Sequence, residues 1–471
     1  MKSVFVSGNF NILHHGHLRL LRFAKDLGSV LIIGVNSDEI GGIGVHVPLD
    51  FRLDVVRSNT LVDKVVLIDK PIEDIILNLK PDFVVKGKEH EGLNNPEDSI
   101  VKKYGGKLVF SSGEVIFSSL DLVDKGLSSI SYNQVPKDFA RRHTISFEKL
   151  NKIVEDFSKI QVCIIGDLIV DEYISCDPLG MSQEDPTIVV KPVKKQRFIG
   201  GAGIVAAHAA GLGAKVNFFS VTGIDEVAKY ARSSLSEFGV KNYLYKDESR
   251  PTTLKQRFRA NDKTLLRVNS LHQGVISKTL QERILVKVKE SMQKCQLLVF
   301  SDYNYGCLPQ TLVDQLIDYG KKLGLIMVAD SQCSSQIGNI SRFRNMDLLT
   351  PTEREARICL RNQEDGLVVL CEKLKQEAKT KNIILKLGSE GVLLYFEESS
   401  RESRTDRIPA LNSLPIDTSG AGDSVLITSS LAIASGASPW EAACLASKSA
   451  AVQVSRLGNI PLIAKDLITH L

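Results

Sequence analysis

The stretch GNFNILHHGHLRLLRFAKDLG, residues 8–28, begins where an apolar strand, Val4–Val6, gives way to a helix from Gly16 to Leu27. Leu18, Leu21 and Ala24 fall on one face of that helix beside Leu20 and Phe23, which is the 3.6-residue period of an amphipathic helix. A strand, a glycine turn and a helix start together make an anion site. Gly8 permits a tight turn, Gly16 lets a ligand approach the backbone, and the first N–H groups of the helix stand unpaired at the positive end of its dipole. His14 and His17, at i and i+3 across the helix start, can both donate to one oxyanion, whereas His15 points elsewhere. H-x-x-H can also hold zinc, but zinc sites want three or four protein ligands and residues 1–162 contain no cysteine. Phosphate is the expected guest.

Outward from this stretch, short β-branched runs alternate with helical patterns: Val4–Val6, Val30–Val35, Lys64–Ile68, Phe83–Val85 and Lys107–Phe110. Such alternation implies parallel βαβ units in a doubly wound, Rossmann-like α/β domain. From Val123 to Arg142 the pattern dissolves into Ser, Asn, Gln and Pro, the composition of a connector. A helix over Phe147–Phe157 then leads to a second start, QVCIIGDLIVDEYI, and strand–helix alternation resumes through Val216–Val221, Leu297–Phe300, Leu325–Ala329 and Ile383–Leu387 to a last helical region, Ala421–Gly436. The chain therefore reads as a domain over 1–125, a linker over 126–146 and a larger α/β domain over 147–471.

Composition bounds the function. Fifty-nine basic against 55 acidic side chains leave a formal charge of +4 on 471 residues, with no basic stripe fit for many nucleic-acid phosphates. No apolar run reaches the roughly 18 residues of a membrane span, and Ser7, Gly8 and Asn9 interrupt the N-terminal run too early for a signal peptide. Eight dispersed cysteines, all from Cys163 onward and without a C-x-x-C pair, fit buried thiols in a reducing compartment. The expectation is a cytoplasmic protein whose partners are small molecules, with neither nucleic acid nor membrane.

A second constellation lies in PIDTSGAGDSVLITSSLAIASG, where Gly420, Ala421 and Gly422 open a helix and Asp423 stands on its first turn. An acid there favours the helix dipole, and it can also take a proton from a hydroxyl while adjacent N–H groups hold a transferring phosphoryl group. Gly200-Gly201 precede an Ala-rich helix, and Asp167, Asp171, Asp302 and Glu355 all fall at strand ends or turns, where sugar hydroxyls or a magnesium ion are held.

GNFNILHHGH resembles the H-x-G-H signature of the nucleotidyltransferase superfamily, and VLIIGVNSDE, PLDFRLDVV, KPDFVVKGKEH and YGGKLVFSSGEVIFSSLDL follow in the order of the sugar-phosphate nucleotidyltransferases. The resemblance covers nearly all of residues 1–122. It implies that His14 and His17 contact nucleotide phosphates, with Gly8, Asn9, Phe10, Asn11 and Gly16 in the same loop. It further implies that Arg52 and Lys86 face phosphates, that Gly87 shapes its loop, and that Ser118 and Ser119 meet the phosphates at a final helix start. An in-line attack on an α-phosphate builds negative charge, so positioned donors and Mg2+ suffice without a nucleophilic side chain. Three positions depart from the pattern: Asn11 replaces an Asp, EIGGIGVHVP lacks a Lys or Arg, and Leu120 replaces a hydroxyl residue.

GDLIVDEY, GGAG, PTTLKQRF, LLRVN, SDYNYG and DTSGAGDSV resemble the ribokinase (PfkB) family of carbohydrate kinases, across residues 157–462. The resemblance implies Asp423 as catalytic base and a sugar site built from Asp167, Asp171, Gly200, Gly201, Lys255, Arg257 and Asp302. It places Lys386, Gly388, Gly391, Gly420, Ala421 and Gly422 at the ATP, Glu355 at the metal, and EDPTIVVKPV in a small β lid that forms a homodimer contact. Ile204 stands where the family has a sugar-binding Asn, Thr352 replaces the Asn of N-x-x-E, and the Lys of a D-P-K segment is absent from ADSQ. The implied cofactors are Mg2+ and K+, with ATP as the kinase's donor and a nucleoside triphosphate, ATP ahead of CTP, in the transferase.

Joined in one chain, the two likenesses resemble the bifunctional enzymes of ADP-heptose synthesis with the domain order reversed. That implies a heptose-7-phosphate kinase and a heptose-1-phosphate adenylyltransferase acting on sugar phosphates and nucleotides. Two alternatives stay open on the sequence: the same folds acting on another sugar or polyol phosphate with CTP, and one domain serving as a noncatalytic ligand sensor.

Overall fold

Strands buried on both faces read as apolar, β-branched runs, and the N-terminal sheet has such runs at its centre with partly exposed strands at its edges: β1 Ser3–Gly8, β2 Val30–Asn36, β3 Lys64–Ile68, β4 Phe83–Lys86 and β5 Lys107–Phe110. All are parallel, in the order β3-β2-β1-β4-β5. Val4 and Val6 pack with Leu21 and Ala24 of the helix His15–Leu27 on one face, and Phe5 packs with Ile32, Ile76 and Val101 on the other. The strand order reverses at β1, so a crevice opens beyond the carboxyl ends of β1 and β4. The computed structural model describes residues 2–11, 15–42, 45, 47–87, 90, 95–111, 136–260, 263–332, 338–399, 402–412 and 414–468. His14, Ser118 and Ser119 lie outside the described residues. The chain divides into two units, Met1–Asp124 with Leu360–Leu374, and Lys125–Cys359 with Lys375–Leu471.

The second unit contains β6 Gln161–Gly166, β7 Leu168–Met181, β8 Ile188–Gly201, β9 Lys215–Thr222, β10 Lys241–Lys246, β11 Leu254–Ala260 and β12 Lys263–Ser270. It continues with β13 Leu297–Asp302, β14 Ile326–Ser331, β15 Leu348–Leu349, β16 Asn382–Lys386, β17 Val392–Ser399 and β18 Glu402–Ile408. Nine of these form one sheet in the order β10-β9-β6-β13-β14-β15-β16-β17-β18, parallel until the final two strands turn antiparallel. Two helices buried on nearly every side, Ala202–Gly211 and Ala421–Ala434, fill its core, and Ile204 is fully buried there.

Four strands, β12-β11-β7-β8, make a separate small sheet that includes the stretch read as a lid. The inner half of β7 is buried and its outer half exposed, and its pairing with β8 shifts register between Ser175 and Cys176. Part of the expected connector is also structured. A short helix, Lys137–Arg142, buries Phe139 in the core of the second unit, Arg142 and His143 both reach Asp406, and His143 stacks on Trp440 at 3.9 Å.

Candidate active sites

In the N-terminal unit a cavity of about 910 Å³ opens at the carboxyl ends of the first four strands, lined by Gly8, Asn9, Phe10, Asn11, His17, Asn36, Asp69, Lys70, Lys86, His90 and Glu97 among others. The turn is not made by Gly8. Phe10 takes the left-handed conformation (φ +48°), and its ring lies over Gly8, 3.4 Å from where a Cβ there would be, an ordinary contact. The Phe10 ring in turn lies 5.2 Å from that of His17. Asn11 accepts from the Val47 N–H at 3.3 Å, and Asn9 accepts from the Asn36 side chain at 2.7 Å. Gly16 lies in the first turn of the helix His15–Leu27. Lys86 ends β4 ahead of Gly87 and pairs with Glu97 at 2.8 Å; it remains 19% exposed with protons left to offer a phosphate.

Arg52 is placed elsewhere. Its side chain is fully buried, donating to the carbonyls of Val47, Asn9 and Asn36 (each 2.8 Å) and to Asp38. A guanidinium has five N–H donors in a fixed fork, and here they tie together the ends of β1 and β2 instead of facing a phosphate. Its part is to hold the turn that carries Asn9 and Phe10.

In the second unit a cavity of about 710 Å³ brings together Asp171, Gly201, Lys255, Arg257, Glu355, Lys386, Gly388, Gly391, Gly420, Ala421, Gly422 and Asp423. Arg257 donates to Asp171 at 2.8 Å, and Lys255 lies over the Tyr303 and Tyr305 rings. Burial raises the Asp171 carboxyl while Arg257 and Lys255 oppose the rise. Gly200 makes room for this acid, because a Cβ there would come within 2.4 Å of an Asp171 oxygen. Gly201 has φ +57° and would press a Cβ to 2.5 Å from the Asp167 carbonyl.

Asp167 and Asp302 do not line this cavity. Asp167 accepts the backbone N–H groups of Tyr303, Tyr305 and Cys307 at 2.8–3.2 Å, and Asp302 pairs with Arg342 at 2.7 Å and with Ser331 at 2.9 Å. Buried N–H groups need acceptors, and these acids supply them to the loop after β13. That loop delivers Tyr303, whose hydroxyl donates to Asp423 at 2.5 Å. Asp423 is itself buried, and burial pushes its carboxyl up to about 6 against the opposing effects of Tyr303 and Lys386. A carboxylate poised near neutrality beside the open N–H groups of a helix start can take a proton from a hydroxyl. The two sites thus consist of an anion crevice in one unit and an acid–cation cavity in the other.

Residues 159–465 match the sequence model of a family described as pfkB family carbohydrate kinase. The chain belongs to the pfkB family. Residues 5–107 match a second family, described as cytidylyltransferase-like. A protein named bifunctional protein HldE from Campylobacter curvus is 33% identical over 309 residues, covering 64% of this chain and 63% of its own length, and one of the same name from Nitratiruptor is 30% identical over 306 residues, covering 64% and 62%. The matched regions thus span somewhat less than two thirds of those relatives. The structure of Arabidopsis thaliana ribokinase complexed with ribose and ATP superposes with a TM-score of 0.53 at 20% identity, covering 66% of this chain and 97% of that one. Escherichia coli phosphofructokinase-2 in complex with potassium gives 0.53 at 17%, covering 65% and 97%. Both show the pfkB fold of the second unit.

At this pfkB cavity the residues suit Mg2+, with Glu355 on the wall and Asp330 behind it, reached through Lys386. Asp330 is buried, pairs with Lys386 through one oxygen at 2.8 Å, and leaves its other oxygen without a hydrogen-bond partner; Glu355 lies on the cavity wall. No group of three metal-ligating side chains occurs among the described residues. One or two carboxylates completed by phosphate oxygens and water is the usual magnesium arrangement. Glu355 is also partly committed elsewhere: its carboxylate accepts the Thr352 N–H at 2.7 Å and Thr352 Oγ1 accepts the Glu355 N–H at 3.2 Å, the reciprocal pair of a capping box. Tyr303, Asp330 and Asn459, whose side chain donates to Asp171 at 3.3 Å, were not legible as site residues. Tyr303 and Asp330 stand within the motifs SDYNYG and ADSQ, which drew attention to their neighbours instead.

Proposed function

We propose that the protein is bifunctional: the pfkB unit phosphorylates a sugar phosphate with ATP, and the N-terminal unit couples a sugar-1-phosphate to a nucleotide with release of pyrophosphate. The product is a nucleotide-activated sugar of the ADP-heptose type. The observation that carries this reading is the convergence of Asp423 with Lys255 and Arg257 in one cavity, a base for the acceptor hydroxyl beside two cations for a charged acceptor. Asp171 fits sugar hydroxyls, and the glycine-lined wall from Gly388 to Gly391 fits the nucleotide. Asp330 and Glu355 are the residues that would hold Mg2+, which would supply charge neutralisation there. In the other unit His17, Lys86 and the open helix start are donors for the charge that builds at the α-phosphate. The motif order and the likeness to proteins named HldE support heptose as the sugar.

The test is a panel of seven- and six-carbon sugar phosphates with ATP, followed by ADP release, and of sugar-1-phosphates with each nucleoside triphosphate, followed by pyrophosphate release. Turnover with free sugars but with no phosphorylated acceptor overturns the kinase half. Lys255→Met is expected to raise the acceptor KM by about 10- to 100-fold, the worth of one hydrogen bond to a charged group, while the ATP KM stays put.

The lid sheet supports a dimer. Leu179, Met181, Ile188, Val193 and Leu266 are each more than half exposed on it, an apolar face that a second copy would cover. Val193→Asp with Leu266→Asp is expected to leave a monomer by light scattering; an unchanged mass removes the lid as the interface.

A further inference from the structure

Lys386 ends β16 with its side chain only 10% exposed and its ammonium 2.8 Å from Asp330, yet it lies on the cavity wall. The ammonium also sits 3.1 Å from where a Cβ on Gly422 would be, over the first turn of the helix Ala421–Ala434. A cation at the positive end of a helix dipole is unfavourable, and burying it costs more. Asp330, Glu355 and Asp423 all bear on it and offset that cost. The pair is not saturated as a purely structural bridge would be: the second Asp330 oxygen is unpartnered, and an ammonium has three protons to give. An anion resting on the N–H groups of residues 421–423 would lie between the helix start and this ammonium.

We infer that Lys386 is a catalytic residue that grips the γ-phosphoryl group during transfer, an assignment that rests on the kinase reading above. In that step the acceptor hydroxyl oxygen bonds to the γ-phosphorus and the bond from that phosphorus to the β–γ bridging oxygen breaks. The hydroxyl proton passes to Asp423, and ADP leaves with the bonding pair. Charge spreads over the three equatorial oxygens of the phosphoryl group, and the Lys386 ammonium, beside the first turn of the helix Ala421–Ala434, meets it there.

The experiment uses the full chain, with Lys386→Met and, because an uncompensated Asp330 can unfold the protein, Lys386→Gln, whose amide still donates to Asp330 without carrying charge. Equilibrium binding of Mg-ATP and Mg-ADP is measured with steady-state kinase kinetics; any nucleotide bound by the N-terminal unit is common to all variants and cancels in the comparison. Both variants are expected to bind ATP about tenfold more weakly with ADP affinity unchanged, and to lose about 100-fold in kcat with little change in acceptor KM. Equal losses for ATP and ADP, or a wild-type kcat in the folded Gln variant, overturn the assignment. Should the unmodified chain phosphorylate no sugar phosphate, the acceptor reading fails, while the ATP-against-ADP comparison still decides the role of Lys386.

Discussion

Asp423→Asn is expected to lower the kinase kcat by about 10³-fold while leaving ATP binding intact. General-base catalysis contributes in this range, and the amide keeps the shape of the side chain and an oxygen to accept from the Tyr303 hydroxyl, but it cannot take a proton. The unmodified enzyme should carry the signature of that base in its pH profile. Burial holds the Asp423 carboxyl at about 6, and the base works only when ionised, so kcat/KM for the acceptor should be lost as pH falls through about 6 and level off above it. The Tyr303 hydroxyl favours the ionised form; Tyr303→Phe should therefore move the midpoint to higher pH. ATP consumption with a sugar-phosphate acceptor, followed from about pH 5 to 8, measures both effects. An Asp423→Asn variant as active as the parent would remove the base from the mechanism.

The second large effect belongs to the other unit. His17→Ala is expected to reduce pyrophosphate release by about 10²- to 10³-fold, the usual consequence of removing one positioned donor to developing charge. Kinase turnover should be unaffected, because His17 lines the N-terminal cavity and is not among the residues lining the cavity of Asp423. His17→Gln, which keeps a neutral donor, should recover part of the loss. A coupled pyrophosphate assay run beside the kinase assay on the same preparation separates a lost donor from a misfolded chain, and undiminished release from the Ala variant would leave the opening motif without its role.

Much of the fold was legible because strands buried on both faces leave nearly unbroken apolar, β-branched runs, as in Val30–Asn36 and Gln161–Gly166. β12 was not, because every residue from Lys263 to Ser270 is exposed and no burial pattern marks it. Site residues at glycine turns and helix starts could be found for a similar reason: local geometry demands a particular residue type there. Arg52, Asp167 and Asp302 show the limit. A guanidinium that meets a phosphate and one that ties carbonyls together look alike in sequence, as do a carboxylate for a sugar and one for backbone N–H groups. Tyr303 was hidden for another reason, since its partner lies 120 residues away and only the fold brings the two together. Thr352 replaces a family Asn, but with Glu355 three residues on it forms a cap, so the change keeps a helix start while altering what lies at the cavity.

The strand β7 joins the core to the lid without interruption. Its 14 residues span about 45 Å, with Asp171 on the clamped inner part and the apolar outer part free in solvent. Register shifts are bends in the ladder, and they fall between Ser175 and Cys176, where burial begins to give way, and between Pro178 and Gly180 in the exposed part. Mechanically these are elbows: load applied to the outer arm is expected to bend it at residues 175–176 and 178–180, and the acid four residues inward of the first is held beside Arg257. Whatever grips the lid from outside, the acceptor pocket behaves as a fixed anvil, and separating two copies should leave its affinity for sugar phosphate unaltered.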